Sequence, residues 1–207
     1  MRLFLASASP ARQALLRRAG MNPEILIHSV DEEALVAQRA SVAPLTPAET
    51  VQVLAEAKAL DACRTHLPTG LVLGGDSMFE INGSLVGKPL TIENARARWK
   101  TMQGQTGVLH SGHFLVRVER GEIHSTAGEA TSSSVSFSGD ISPDDLEAYV
   151  QSGEPLNVAG AFTIDAKGAA FIDSVAGDPH TVEGLSIVTF RRLVERLGVR
   201  YTDLWAQ

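Results

Sequence analysis

The order of short apolar stretches and capped helices in the first half of the chain constrains the fold more than any other feature. Residues 3 to 6 are apolar and predict a buried strand. Ser9 followed by Pro10 predicts a helix start, since serine caps helices and proline suits their first position. Thr46-Pro-Ala-Glu49 predicts a capping box on a helix that runs to about residue 66. Residues 22 to 30 predict a second strand and the apolar residues 71 to 73 a third, so the fold class is α/β.

The second half of the chain adds strands that pair with their neighbours. The predicted elements are a hairpin turning at Asn82-Gly83, a helix from 92 to 103 capped by Thr91, and long strands at 107–118 and 121–138. They continue with a helix from Ser142 to Gly153, short strands around Lys167-Gly168 within 158–175 and a last helix from 185 to 197. Hairpins require antiparallel pairs, so we expect a mixed β-sheet flanked by helices. We expect residues 1–207 to form a single domain in which two lobes share that sheet.

Composition excludes several classes of protein. Of the 207 residues, 44% are hydrophobic and 20% charged, as is typical of globular proteins. The net charge of −6, with no basic stripe, argues against a polymeric nucleic acid partner. No apolar run is long enough for a membrane span, and residues 3 to 6 are too few for the core of a signal peptide. The single Cys63 has no internal disulfide partner. We therefore expect a cytoplasmic protein.

The junction between the first strand and the first helix is a candidate anion site. Unpaired N–H groups and the helix dipole favour negative charge at a helix start. Ser7 and Ser9 add hydroxyl donors, and Arg12 in the first turn can bind a phosphate through two N–H groups. The alternative is that Ser9 only caps the helix and Arg12 is a solvated surface charge.

A second candidate is Gly74-Gly75-Asp76-Ser77, directly after the apolar residues 71 to 73. Glycines at a strand end let a ligand approach the backbone. An aspartate at the carboxyl end of a strand lies where open α/β sheets bind ligands, and it can hold Mg²⁺ or orient a water molecule. The alternative is a simple turn aspartate.

Isolated charges supply further candidates. Lys58 lies on the inward side of its predicted helix, where it either meets an acidic partner or extends to the surface. Lys88, between a glycine and a proline, has a fixed backbone suited to phosphate neutralisation. The run Asp31-Glu32-Glu33 is either a solvated helix start or a source of a metal-binding carboxylate. His110 and His113 should lie on opposite faces of a strand and should not form a metal pair.

Taken together and in order, these pieces resemble the Maf family of nucleoside triphosphate pyrophosphatases. The matching segments are Leu5-Ala-Ser-Ala-Ser-Pro10 with Arg12 and Leu15, Val30-Asp-Glu32, Ala57-Lys58-Ala59, Gly75-Asp76-Ser77, Gly87-Lys88-Pro89, Ser152-Gly-Glu-Pro155, Ala159-Gly-Ala-Phe162 and Gly184-Leu185. Each motif is weak alone, but together they cover nearly the whole chain in the family's order and spacing.

The resemblance implies an elongated, twisted mixed sheet flanked by helices, with an active-site cleft between two lobes. It implies hydrolysis of nucleoside triphosphates, modified ones among them, to a monophosphate and pyrophosphate, in a house-cleaning role. Asp76 looks like the catalytic base, and Glu32 with Asp76 would hold Mg²⁺ or Mn²⁺. The positions that match the family's substrate-binding residues are Ser7, Ser9, Arg12, Glu32, Lys58 and Lys88. A homodimer would also be in keeping with the family.

Three departures fall at positions that the family associates with base preference, namely Ala11, Ser77 and Asp165. A carboxylate at Asp165 would accept hydrogen bonds from guanine N1 and N2 or cytosine N4, which favours a base with donors. The segment from His180 to Ser186 also departs from the family's usual Asn-Val-Val-Gly-Leu-Pro.

Two other functions fit the same residues. One is a nucleotide-binding regulator of cell division with little turnover. The other is an unrelated metal phosphohydrolase that removes the terminal phosphate. The intact Asp76 and the lysines favour an active enzyme, and the identity of the products separates the two hydrolases.

Overall fold

The computed structural model describes residues 1–206, which fold into two compact units. The first unit contains Met1–Asp76, Ser111–Thr131 and the residues from Gly184 onwards. The second unit contains Ser77–His110 and Ser132–Glu183.

The strands are β1 (Leu3–Ala6), β2 (Glu24–Ile25), β3 (Gly70–Ile81), β4 (Ser84–Val86), β5 (Thr106–Glu119), β6 (Glu122–Phe137) and β7 (Ile172–Ala176). They form one seven-stranded sheet in the order β2-β1-β3-β5-β6-β7, with β4 paired to β3. β1 is parallel to β2 and β3, whereas the β3–β4 and β6–β7 pairs are antiparallel. The predicted mixed sheet is confirmed.

The helices are α1 (Pro10–Arg18), α2 (Glu32–Ala40), α3 (Pro47–His66), α4 (Ile92–Met102), α5 (Pro143–Gln151), α6 (Pro179–Val182) and α7 (Ile187–Arg196). Short 3-10 turns lie at Glu154–Asn157, Ala159–Ala161, Lys167–Phe171 and Tyr201–Leu204. The helix starts predicted at Ser9, Thr46, Thr91 and Ser142 are confirmed, since each side chain accepts a hydrogen bond from a backbone N–H in the first turn. None of the helices within residues 1–206 is long and apolar enough to cross a membrane.

The chain between β1 and α3 differs from the prediction of a strand over residues 22–30. β2 is only two residues long, because the chain then turns away to bind α3. The backbone N–H of Ser29 donates to Asp61 Oδ2 at 2.8 Å, and the Ser29 hydroxyl donates to the same oxygen at 3.1 Å. Asp31 then caps α2 by accepting the N–H of Ala34 at 3.0 Å. The acidic run is therefore a helix start, as one of the two interpretations held.

Two other predicted boundaries were wrong. β3 does not end at residue 73 but continues through the two glycines to Ile81, so that its second half forms the hairpin with β4. The short strands expected around Lys167-Gly168 are absent from the described chain, where these residues begin a 3-10 turn that leads into β7. The backbone N–H groups of Lys167 and Gly168 donate to the Glu154 carboxylate and so do not take part in a strand ladder.

Each unit has its own core. In the first unit, leucines of β1, β3, α1 and α7 pack together, and a second cluster lies between the sheet and α3. In the second unit, the core is aromatic, with Phe79, Trp99, Phe137 and Phe162 in edge-to-face contacts. The buried Trp99 indole donates to the Ala161 carbonyl at 2.8 Å. Cys63 is buried in the α3 cluster, and burial raises the pKa of its thiol to about 11, as suits a small core residue.

Candidate active site

The junction between β1 and α1 places two serines and an arginine together in the first unit. Ser9 Oγ accepts the Arg12 N–H at 3.5 Å as the helix cap. Ser7 Oγ accepts hydrogen bonds from the Ser9 N–H at 3.3 Å and from Arg12 Nη1 at 3.0 Å. Both lone pairs of Ser7 are thus engaged by donors, so its hydroxyl hydrogen is directed to an acceptor such as a phosphate oxygen.

Arg12 is not the solvated surface charge of the alternative interpretation. It is 7% exposed. Its Nε donates to the Gly184 carbonyl at 2.8 Å, and its guanidinium lies against the backbone of Gly75, where an added Cβ would be 3.0 Å from Nε. Burial lowers the pKa of this guanidinium, and the charges of Asp76 and Glu32 oppose that effect. A buried cation is therefore held rigidly beside the two carboxylates.

Lys58 of α3 connects those carboxylates. Its Nζ lies 2.7 Å from Asp76 Oδ1 and 2.8 Å from Glu32 Oε1. The Lys58 side chain is 8% exposed and that of Asp76 is 14% exposed, whereas Glu32 is 43% exposed. The alternative in which Lys58 extends to the surface is wrong, because the lysine finds two acidic partners. Asp76 is likewise no turn residue, since it lies within β3.

Gly74 sets the spacing of this ion pair. An added Cβ at this position would lie 2.1 Å from the carbonyl oxygen of Ala55 and 2.9 Å from the backbone nitrogen of Ala59. The glycine therefore admits the backbone of α3, and Gly75 admits Arg12, where the sequence had suggested room for a ligand. Close approach of α3 to β3 is what allows Lys58 to reach Asp76.

His28 is a neighbour of this cluster that the sequence did not identify. It follows β2 and is half-buried. Burial lowers the pKa of its imidazole, with a further contribution from the positive charge of Lys58. Its Nδ1 is buried without a hydrogen-bond partner among the described residues. A lone histidine after a strand carries no recognisable signal, so sequence reasoning could not have found it.

Lys88 lies in the second unit, on an anchored loop. The carbonyl of Gly87 accepts a hydrogen bond from Arg98 Nη1, and that of Pro89 accepts one from Asn94 Nδ2 at 3.0 Å. The Leu90 N–H donates to the Leu156 carbonyl at 3.0 Å. The backbone around Lys88 is thus fixed, as predicted, while the lysine itself is exposed.

The three positions expected to set base preference are also placed. Ala11 is half-buried at the start of α1 in the first unit. Ser77 lies on β3 in the second unit and lines a pocket with Met78, Leu85, Val86 and Gly87. Asp165 is exposed in the loop that precedes Lys167.

Glu154 holds the loop that carries Asp165. Its Oε1 accepts the Thr163 hydroxyl at 2.6 Å and the Gly168 N–H at 2.9 Å, and its Oε2 accepts the Lys167 N–H at 3.2 Å. Burial raises the pKa of Glu154, but these hydrogen bonds outweigh it, so the pKa lies below its usual value. The carboxylate is therefore a structural anchor.

Glu32 and Asp76 are the residues best suited to a divalent cation. Carboxylate oxygens suit Mg²⁺ and Mn²⁺, and such ions commonly take one or two carboxylates plus substrate phosphates. Within residues 1–206, no cluster of three or more His, Cys, Asp or Glu side chains is arranged to hold an ion by itself. These two carboxylates are therefore the oxygen ligands that this cluster could offer to such an ion.

The two histidines of β5 have separate partners, as expected from their spacing. His110 Nε2 lies 3.2 Å from Glu80 Oε2, and its Nδ1 lies 2.8 Å from Ser132 Oγ. His113 is fully buried and contacts the backbone of Glu129 and Ser186.

Comparison with known proteins places this chain in a family. The model of the Maf-like protein family matches residues 2–197. A protein of Leifsonia xyli subsp. xyli (strain CTCB07) named nucleoside triphosphate pyrophosphatase is 50% identical over 210 residues, covering 99% of this chain and 97% of that protein.

Two further relatives carry the same name. The protein of Streptomyces coelicolor (strain ATCC BAA-471 / A3(2) / M145) is 47% identical, covering 99% of this chain and 95% of that protein. The protein of Mycobacterium sp. (strain JLS) is 45% identical, covering 100% and 99%. A solved structure, that of the Staphylococcus aureus Ham1 protein, aligns at 11% identity with a TM-score of 0.48, covering 95% of this chain and 100% of that chain. The family match over residues 2–197 and the three relatives named nucleoside triphosphate pyrophosphatase show that the chain belongs to the Maf-like protein family.

Proposed function

We propose that this protein hydrolyses nucleoside triphosphates between the α- and β-phosphates, releasing a nucleoside monophosphate and pyrophosphate. The observation that carries the proposal is the buried Lys58, which contacts Asp76 and Glu32 at 2.7 and 2.8 Å beside the buried Arg12. The full-length relatives named nucleoside triphosphate pyrophosphatase support it.

The first unit offers donors for a polyphosphate. Arg12 and Lys58 supply positive charge, and Ser7 supplies a hydroxyl hydrogen. Because the Ser7 oxygen accepts from the Ser9 N–H and from Arg12, this hydrogen points away from both donors. The N-terminus of α1 adds backbone N–H groups and the favourable end of a helix dipole. These groups would bind the charge that develops on pyrophosphate as it leaves.

A divalent cation completes the proposal. Glu32 and Asp76 would hold Mg²⁺ or Mn²⁺ together with the phosphate oxygens of the substrate. When bound, such a cation neutralises negative charge on the triphosphate. Lys58 contacts both carboxylates and so keeps them oriented toward one point.

Asp76 is the proposed general base. Its carboxylate would accept a proton from a water molecule as the water oxygen bonds to the α-phosphorus. The bond from the α-phosphorus to the oxygen that bridges to the β-phosphate breaks, and that oxygen leaves with pyrophosphate. Lys58, through its contact with Asp76 Oδ1, fixes the plane of the carboxylate for this step.

Lys88, Ser77 and Asp165 of the second unit and Ala11 of the first have proposed roles in the same reaction. Lys88, on its anchored loop, would bind phosphate. Ala11, Ser77 and Asp165 would set base preference, and the acceptor at Asp165 would favour a base with N–H donors. We further propose that the two units act as one domain, since β3, β5 and β6 contribute residues to both.

A panel of nucleoside triphosphates, modified ones included, tests the reaction. The protein is incubated with each in Mg²⁺ or Mn²⁺, and the products are separated by ion exchange. Monophosphate and pyrophosphate would support the proposal, and diphosphate with phosphate would contradict it. Loss of turnover on adding a chelator would support the role of the cation.

Two variants test the assigned residues. Asp76→Asn keeps an oxygen for Lys58 but removes the base, so turnover should be lost while nucleotide binding persists. Unchanged turnover would refute the assignment, and binding without turnover in the unaltered protein would favour a regulator. Asp165→Asn should change the ranking of the triphosphates, and an unchanged ranking would remove Asp165 from the specificity set.

A further inference from the structure

His113 of β5 connects β6 to the segment that precedes α7. Its imidazole is 0% exposed. The backbone N–H of Ser186 lies 2.8 Å from Nε2 and can only donate, so Nε2 is an unprotonated acceptor. Nδ1 therefore carries the proton and donates to the Glu129 carbonyl at 2.9 Å. Both ring nitrogens are thus committed to the backbone.

The segment held by His113 also holds Arg12. Gly184, two residues before Ser186, accepts the Arg12 Nε–H at 2.8 Å. Leu185 between them is fully buried in the core of the first unit. Ser186 caps α7 by accepting the Thr189 N–H at 3.0 Å. The packing of Leu185, the cap on α7 and the contact with His113 each restrain this segment.

The position of the Gly184 carbonyl decides how the Arg12 guanidinium is oriented. Nε is bound to that carbonyl and Nη1 to Ser7 Oγ, and two contacts define the plane of the group. Gly75 of β3 lies directly against the guanidinium. A shift of Gly184 would consequently rotate the donors that face the substrate.

We propose that His113 is a positioning residue for Arg12: by accepting the Ser186 N–H, it holds the Gly184 carbonyl that orients the guanidinium toward the pyrophosphate part of the substrate. This inference rests on the proposed function. It assigns to a fully buried histidine, which touches no substrate, a role in how tightly the phosphates are held.

Two pairs of variants distinguish loss of the hydrogen bond to the Ser186 N–H from a change in packing. His113→Phe removes the acceptor and leaves the Ser186 N–H unpaired, whereas His113→Gln supplies an oxygen near the place of Nε2. His113→Leu removes the acceptor with a smaller apolar side chain, and Ser186→Ala removes the cap oxygen but keeps the N–H. The second pair provides the test should His113→Phe fail to fold.

The readout is the dissociation constant of pyrophosphate in Mg²⁺, measured by titration calorimetry, with the nucleoside monophosphate as control. His113→Phe and His113→Leu should weaken pyrophosphate binding about tenfold, since a buried unpaired N–H disfavours this arrangement. His113→Gln and Ser186→Ala should stay within about twofold, and monophosphate binding should change little in all four. Equal losses for both ligands would indicate a general structural effect and overturn the inference.

A double-mutant cycle tests the route through Arg12. In an Arg12→Ala background, His113→Phe should cause no further loss of pyrophosphate binding. The same tenfold loss in that background would overturn the inference. Absence of pyrophosphate binding by the unaltered protein would also overturn it, whereas pyrophosphate binding without triphosphate hydrolysis would refute the proposed function alone.

Discussion

The Cβ that Gly75 lacks would lie 3.0 Å from Nε and 3.3 Å from Cδ of Arg12. These distances are tighter than ordinary van der Waals contact, so a methyl group fits only if the arginine moves. Arg12 is bound on its other sides by the Gly184 carbonyl and Ser7 Oγ. Any such movement would therefore break a hydrogen bond that orients the guanidinium.

Gly75→Ala should lower kcat/KM for triphosphate hydrolysis by roughly ten- to hundredfold, because small displacements of substrate-binding groups are costly to catalysis. Circular dichroism and thermal unfolding should show a folded protein. Gly139→Ala is the matched control, since its Cβ would meet Gly104 Cα at an ordinary 3.6 Å. If Gly75→Ala retains full kcat/KM, the contact with Arg12 does not matter for the reaction.

Lys58→Met should reduce turnover by about a hundredfold or more and also lower stability. The methionine keeps the aliphatic stem but leaves Glu32 and Asp76 as neighbouring negative charges without their cation. Removing one partner of a largely buried ion pair costs roughly 3 kcal/mol, and the exposure of Glu32 should reduce that figure. Urea unfolding and steady-state kinetics provide the measurements. Lys100→Met, at an exposed lysine of α4, should change neither quantity.

Glu154→Gln should destabilise the protein near neutral pH by about 1 kcal/mol, because a charged acceptor of three hydrogen bonds becomes neutral. The pKa of Glu154 lies below its ordinary value of 4.5. Its stabilising contribution is therefore complete above pH 4.5 and is lost as the pH falls through the lower, folded value.

The stability difference between this variant and the unaltered protein should accordingly be constant from neutral pH to about pH 5 and shrink at more acidic pH. Urea unfolding at a series of pH values measures it. The exposed Glu122, at the start of β6, provides the control Glu122→Gln, for which no such dependence is expected. A difference that grows with acidity would contradict the assigned role.

Leu67→Gly should raise the melting temperature. Leu67 ends α3 in the left-handed conformation, with φ 46° and ψ 49°, and its side chain is 65% exposed. Glycine adopts this conformation without the cost of about 1 kcal/mol that a side chain imposes. For a chain of this size, that gain corresponds to about 2–4 °C. Leu85→Gly, in the exposed strand β4, should have the opposite effect, since glycine weakens strands.

Features that depend on a few adjacent residues could be read from the sequence. The helix starts at Ser9 and Thr46 are local, because the cap and its N–H donor lie within one turn. The turn at Asn82-Gly83 is local as well, with φ angles of 50° and 71° that these two residue types tolerate. Such interactions are complete within short segments, so they can be predicted from the sequence alone.

The partners of the site residues could not be read in this way. Arg12 binds the carbonyl of a residue 172 positions away, and every residue type has a carbonyl. The sequence left open whether Lys58 was paired, because its two partners come from β3 and from the start of α2. The start of α2 was left open as well, since the run from Asp31 to Glu33 fits a helix start or a source of a metal ligand equally well.

The contact at Gly74 has a consequence for how this site can change over time. An added Cβ at Gly74 would lie 2.1 Å from the Ala55 carbonyl oxygen, so the backbones of β3 and α3 are in direct contact here. The two backbones therefore act as a fixed spacer. The separation of Lys58 from Asp76 is set by that spacer and not by the size of any core side chain. Core side chains can therefore be substituted without moving the Lys58–Asp76 ion pair. A lineage that replaced Gly74 would have to re-establish the geometry of that pair. Positions 55, 59 and 74 should be inherited together.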